Sequence, residues 1–159
     1  MSGLRVTAVK ARLFGEASPD GAPIGGVLRD LPDLTGVQVA YSYPPDAERE
    51  AVYGDNSVEG NVTLSAMMGS GRLKRQEQSV FGLVVMATEP GQPYTAAVEA
   101  RVAQLGAAVE EYIAANPTCG DVPDVKLVEI VAIELDSGVD DESATAVLTY
   151  QIRVTSYLQ

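Results

Sequence analysis

One long amphipathic stretch, set between segments that alternate in twos, restricts this chain most. Val98, Val102, Leu105, Val109, Tyr112 and Ile113 recur at spacings of three and four, while Glu99, Arg101, Glu110 and Glu111 fall mainly away from that stripe. Pro90-Gly91-Gln92-Pro93 breaks whatever precedes it, and Pro93 suits a first helical turn. Asn116-Pro117 closes the stretch with a left-handed-tolerant residue and a breaker. The pattern predicts a helix of about six turns with one face laid on a sheet.

The flanking segments supply the strands of that sheet. Val37-Gln38-Val39-Ala40-Tyr41-Ser42-Tyr43 has the period of a half-buried strand, and Pro44-Pro45 stops it because proline cannot donate to a ladder. Gly54-Asp55-Asn56 reads as a turn, and Val58 to Leu64 as a strand. Met67-Met68-Gly69-Ser70-Gly71 reads as a flexible hairpin tip, followed by an almost wholly polar run from Arg72 to Gln78 and a buried strand from Val80 to Ala87. The polar run suggests an arm that projects from the body, which for an isolated ribbon is marginal unless it docks on a neighbour. Downstream, Val125, Leu127, Val131, Ile133 and Leu135 alternate with Lys126, Val128, Ile130 and Glu134, and a wide turn spans Asp136 to Ser143. The last strand sets Ala146, Leu148, Tyr150, Ile152 and Val154 against Thr149, Gln151, Arg153 and Thr155.

At the N-terminus, Leu4, Ala8, Ala11 and Phe14 mark one face of a short helix, with Arg5, Lys10 and Arg12 largely elsewhere. A loop at Ser18 to Pro23 follows, and Ile24 to Leu34 reads either as more loop or as another helical turn before Pro32. Strand runs around a single long helix predict an α+β fold: a mostly antiparallel sheet with one long and one short helix packed on one face, plus an extended hairpin arm. The 159 residues fit a single domain, 1–159.

Composition narrows the chemistry. Histidine is absent, which removes the commonest general acid–base and the commonest metal ligand, and with a lone Cys119 it excludes zinc sites built from Cys and His. Ser-His-Asp and Cys-His constellations are likewise impossible. The lone cysteine permits no intrachain disulfide, which suits a reducing compartment, and it reads as a small residue in a helix-to-strand turn. No apolar run approaches the roughly 20 residues of a membrane span, and the first residues lack the order of a secretory signal. A formal net charge of −11 argues against gripping nucleic acid through its phosphates.

Three clusters remain as candidates. The acidic turn Asp136, Asp140, Asp141 and Glu142 offers oxygens of the kind that bind Ca²⁺ or Mg²⁺, though its spacing is not that of an EF-hand and a plain solvated turn is the commoner outcome. Glu48-Arg49-Glu50 reads either as half of an intersubunit salt-bridge network or as an exposed loop face. Arg72, Lys74 and Arg75 form a basic spot on an acidic chain, suited to docking on a negative neighbour or to guarding an edge strand. Gly69-Ser70-Gly71-Arg72-Leu73-Lys74 lacks the spacing of a phosphate-binding loop, and Gly21 to Gly26 lacks the strand-before, helix-after setting of a dinucleotide site.

Taken together, the N-terminal helix, the strand ending Val39-Ala40-Tyr41-Ser42-Tyr43-Pro44 and the charged stretch Glu48-Arg49-Glu50-Ala51-Val52-Tyr53 form a recognisable layout. It continues through the arm leading into Val80 to Met86, the helix closing at Asn116-Pro117, and the hairpin from Asp136-Ser137-Gly138 to Tyr157. This layout resembles the tail terminator (tail-completion, minor tail) proteins of long-tailed bacteriophages. The resemblance spans nearly the full length and rests on element order; Ser18 to Asp33 has no assigned place in it. It implies a homo-oligomer, commonly a six-membered ring, that ends growth of the tail tube at its head-proximal end and joins tail to head. DNA passes through the lumen without sequence-specific binding. The implied partners are the major tail tube protein and a head–tail connector protein, with no cofactor, no metal, no catalytic residue and no membrane. Synthesis in the host cytoplasm fits the lone cysteine. Competing readings are a neck or stopper connector ring, an unrelated soluble protein-binding module, and an enzyme built on carboxylates alone.

Overall fold

In the computed structural model, which describes residues 5–17, 23–64, 75–140 and 142–158, the chain is an α+β fold. Its elements run α1 (Arg5–Phe14), β1 (Glu16–Ala17), β2 (Pro23–Ile24), two 3₁₀ turns (Leu28–Asp30 and Pro32–Leu34), β3 (Gln38–Ala40), β4 (Glu50–Leu64), β5 (Arg75–Pro90), α2 (Ala96–Ala115), β6 (Val125–Val139) and β7 (Ser143–Leu158). The main sheet has five strands in the order β3-β4-β5-β7-β6, parallel only between β3 and β4. β7 sits between β5 and β6, so the last strand is an interior one and β6 is an outer edge.

Both helices pack on one face of this sheet. α2 buries Val98, Val102, Leu105, Val109 and Ile113, the stripe read from the sequence, and adds Gly106 and Ala108. Mid-helix Gly106 costs about 1 kcal/mol in propensity. It is there because α2 lies so close to β7 that a Cβ at this position would stand 2.2 Å from Tyr150 Oη and 2.7 Å from Leu148 Cδ2. α2 begins at Ala96, beyond Pro93, with Thr95 as its cap residue. Asn116 ends it with φ −128°, not left-handed; its side-chain Nδ2 instead donates to the Tyr112 carbonyl at 2.9 Å.

Of the face expected for α1, Phe14 is buried but Ala8 and Ala11 are not, and Leu4 lies outside the described residues. Val6, Val9, Lys10, Leu13 and Phe14 are buried, Ala8 is exposed and Ala11 only half-buried. The larger β-branched and aromatic side chains win the core over alanine because they remove more apolar area from water. Phe14 meets Phe81 of β5 edge to face, with ring centroids 6.4 Å apart. Lys10 is carried inward with them: its Nζ donates to the Asp55 carbonyl at 2.8 Å and lies 4.4 Å from the Tyr41 ring centroid. After α1, the segment 25–40 holds the two 3₁₀ turns and is tied down by Arg29, which donates to the carbonyls of Gly25, Phe14 and Val39.

Four strand expectations change. Val37–Tyr43 yields only the short β3, Gln38–Ala40. Gly54-Asp55-Asn56 is no turn; β4 runs through it, and the irregularity appears as a register shift between Gly54 and Val58. The run 75–78 does not project as a free ribbon, because β7 is long enough to pair Arg75–Gln78 with Thr155–Leu158 on one side while β4 pairs them on the other. Glu77 and Ser79 are buried there, with Ser79 Oγ donating to Glu77 Oε1 at 3.2 Å. The supposed wide turn Asp136–Ser143 is mostly strand: β6 reaches Val139, and β7 starts at Ser143. The proposed arm tip at Met67–Gly71 and the residues up to Lys74 lie outside the described residues.

Candidate assembly edge

β6 departs from the burial pattern of its neighbours. Along β7 the side chains Ala144, Ala146, Leu148, Tyr150, Ile152 and Val154 are all buried. Their register partners on β6 include Val139 opposite Ala144, Leu135 opposite Leu148 and Ile133 opposite Tyr150. Directly opposed residues share a sheet face, so these β6 side chains lie on the helix side. There Ile133 is 57 % exposed, Leu135 50 % and Val139 47 %; Val131, the extra residue at the register shift, is 42 % exposed. α2 covers them only in part: it touches this row of β6 where Ser137 Oγ donates to Glu99 Oε1 and leaves the apolar side chains on either side about half open.

The sequence holds the reason. β6 carries apolar residues in two phases, Val128 and Ile130 on even numbers, then Val131, Ile133 and Leu135 on odd ones. A strict period of two cannot contain both sets, so the strand shifts register between Ile130 and Ala132, and again between Val125 and Leu127. That phase change was the available signal for this surface. The alternation in the sequence sets Val125, Leu127, Val131, Ile133 and Leu135 against Lys126, Val128, Ile130 and Glu134; in the structure Val125 and Val128 are buried and the residues from Val131 onward are open.

Among the described residues β6 is paired by β7 alone, so its outer N–H and C=O groups offer a ladder to another strand. On the other face of the sheet, Glu134 stands opposite Thr149 and Asp136 opposite Val147. Both carboxylates are exposed with no cation beside them among the described residues. Nearer the start of β6, Glu129 is answered by Arg153 from β7. Burying the four half-exposed apolar side chains would contribute on the order of 4 kcal/mol. That is comparable only to the low end of the cost of association, so a stable contact here must also use the ladder.

The other candidate residues fall elsewhere. Glu50 opens β4 and takes a two-pronged ion pair from Arg101 of α2, so its charge is answered within the chain. That hydrogen bond holds the Arg101 pKa above its ordinary value. Glu48 is exposed, its backbone N–H bonded to Gln38 Oε1 at 2.8 Å. Arg49 is exposed, and its side chain has no partner among the described residues. Arg72 and Lys74 lie outside the described residues; Arg75 begins β5.

In the acidic turn, Asp140 Oδ1 accepts the N–H groups of Glu142 and Ser143 at 2.9 and 2.7 Å, and these bonds hold its carboxyl below the usual range. Asp136 is set apart within β6, and Asp141 lies outside the described residues. Among the described residues no three Asp, Glu or Cys side chains gather in a way that would hold a metal ion. Cys119 is buried at φ 54° between α2 and β6, and burial pushes its thiol up to about 11. No described helix is long and apolar enough to cross a membrane.

Compared with known proteins, the chain matches no protein-family model, and no curated protein sequence matches it significantly.

Proposed function

We propose that the chain is a structural subunit that works by assembling with copies of itself and with other proteins, and that its assembly is the ring ending a phage tail tube and joining tail to head. The observation that carries the assembling part is the open β6 edge, with Val131, Ile133, Leu135 and Val139 uncovered beside an unused ladder. Surfaces of this kind on a folded protein mark interaction sites. The terminator part rests on the order of elements along the sequence and its resemblance to that family. The net charge of −11 supports a lumen through which DNA passes without adhering.

Imaging tests the proposal directly. The labelled protein is mixed with tubes assembled from a major tail tube protein encoded beside it. Label confined to one end of tubes that have stopped growing is the expected result. Label absent from the tubes, with growth unaffected, would move the assignment to a neck connector or an unrelated binding module. Measurable affinity of the assembled protein for duplex DNA at physiological salt would contradict the passive lumen.

A further inference from the structure

We infer that Tyr43, Tyr53 and Asp55 form a docking site for an arginine side chain presented by another protein. The site lies on the sheet face opposite the helices, far from β6 in strand order, and it does not depend on the capping reading. Its position follows from strand geometry. Val52 and Gly54 pair with the buried Val85 and Leu83 of the helix-side row, so the alternate residue Tyr53 points to the opposite face. Asp55 shares that face despite the irregularity after Gly54. Gly82, between the buried Phe81 and Leu83, leaves room there: a Cβ added to it would stand 3.0 Å from Asp55 Cβ and 3.2 Å from Asp55 Oδ2. The Asp55 side chain therefore lies across β5 at its bare position. Tyr43 reaches the same place from beyond the end of β3, and its ring meets Tyr53 edge to face with centroids 5.2 Å apart. Pro44 follows Tyr43 and restricts its backbone to extended conformations, which leaves less freedom for binding to remove.

Elsewhere this chain matches tyrosine rings with its own cations. Lys10 Nζ lies 4.4 Å from the Tyr41 ring centroid, and Lys126 Nζ lies 5.0 Å from that of Tyr157. Among the described residues no cation stands over Tyr43 or Tyr53, and the Asp55 carboxylate has no ion pair and no hydrogen bond. Lys10, buried on the helix side, is spent on the Asp55 carbonyl and the Tyr41 ring. Tyr43 is 56 % exposed and Asp55 is exposed, so a ring and a carboxylate are open together. Burial, then Tyr43 and Asp55, raise the Tyr53 hydroxyl above its ordinary 10.0 and keep it neutral beside an incoming charge. Arginine fits this pair better than lysine does. A flat guanidinium lies on a ring face while its fork of N–H groups donates to a carboxylate at the rim, whereas an ammonium is a compact point charge. The net charge of −11 draws basic segments toward the surface, and the ring–carboxylate pair selects among them.

The test is a titration of the full chain with a capped peptide holding one arginine among glycines, followed through the tyrosine ring signals in NMR. Its controls are the same peptide with lysine, or with the uncharged citrulline, in place of arginine. Expected at physiological salt are saturable shifts confined to the Tyr43 and Tyr53 signals. Tyr43→Leu and Asp55→Asn should each weaken binding about threefold, the worth of one exposed ring–cation contact or one exposed ion pair. Tyr94→Leu, which removes an exposed ring elsewhere, should change nothing. All three positions are exposed, so the variants are compared as folded chains. Equal binding of the citrulline peptide would overturn recognition of charge, and equal binding of the lysine peptide would overturn the choice of arginine. Shifts spread over all the tyrosines, or insensitive to both site substitutions, would reduce the effect to net charge and overturn the site. The absence of any shift at millimolar peptide would overturn it as well. None of these outcomes turns on whether the chain caps tubes.

Discussion

At Gly106 two residue-scale effects oppose each other, and their magnitudes fix the sign. Alanine would improve helix propensity by about 1 kcal/mol. It would also drive a Cβ into Tyr150 Oη and Leu148 Cδ2, both held in the core. Overpacking of this kind typically costs about 1–3 kcal/mol, so Gly106→Ala is expected to lower stability by roughly 1–2 kcal/mol in denaturant unfolding. A stabilised variant would mean that α2 lies further from β7 than described. Cys119 is expected to be inert to thiol reagents at pH 8 in the native protein and to react fully in denaturant, because its thiol is buried and raised to about 11. Rapid native-state labelling would contradict that burial. The titration of Lys10 couples to folding. Burial lowers its pKa from the ordinary 10.5, with the charge of Asp55 opposing the shift. The unfolded chain therefore binds the extra proton in the window between the lowered value and 10.5, and stability from this group rises with pH there. Relative to Lys10→Met, the wild-type chain should gain stability as pH is raised from neutral toward 10.5; a difference that stays constant or moves the other way would refute the desolvated lysine.

At the scale of elements, legibility followed periodicity. α2 was readable because its apolar stripe is long and unbroken, and five of its six marked residues are buried. β7 was readable for the same reason at a period of two. In α1 the marked face is right at Phe14 but not at Ala8 and Ala11, because alanines and valines are both apolar and only the packed sheet decides that Val6, Val9 and Leu13 face inward. The polar run 75–78 was misread as an arm because polarity reports the side chains, not the pairing partners; β7 supplies a second ladder that no local pattern announces. β6 carried its own signal, the phase change at Ile130-Val131, yet where the covering helix stops depends on α2 and could not be seen locally. The exposed row gives an element-scale prediction. Ile133→Lys with Leu135→Lys should leave monomer stability within about 0.5 kcal/mol, as for surface substitutions generally, and should remove self-association seen by sedimentation. A variant that unfolds would show that the row belongs to the core.

Over the whole molecule, the fold class followed from element order, whereas the site did not follow from the charged residues that suggested themselves. Glu50 is used internally by Arg101, and the acidic turn is organised by its own backbone bonds. The candidate surface is instead apolar, along the half-exposed side chains of the β6 edge. The central claim is that this edge makes the protein an assembling cap. Its most direct test is the length distribution of tail tubes grown with the wild-type chain and with the Ile133→Lys, Leu135→Lys variant. The account predicts short, end-labelled tubes with the wild type and unrestricted growth with the equally folded variant. Tubes of the same length with both chains would contradict it.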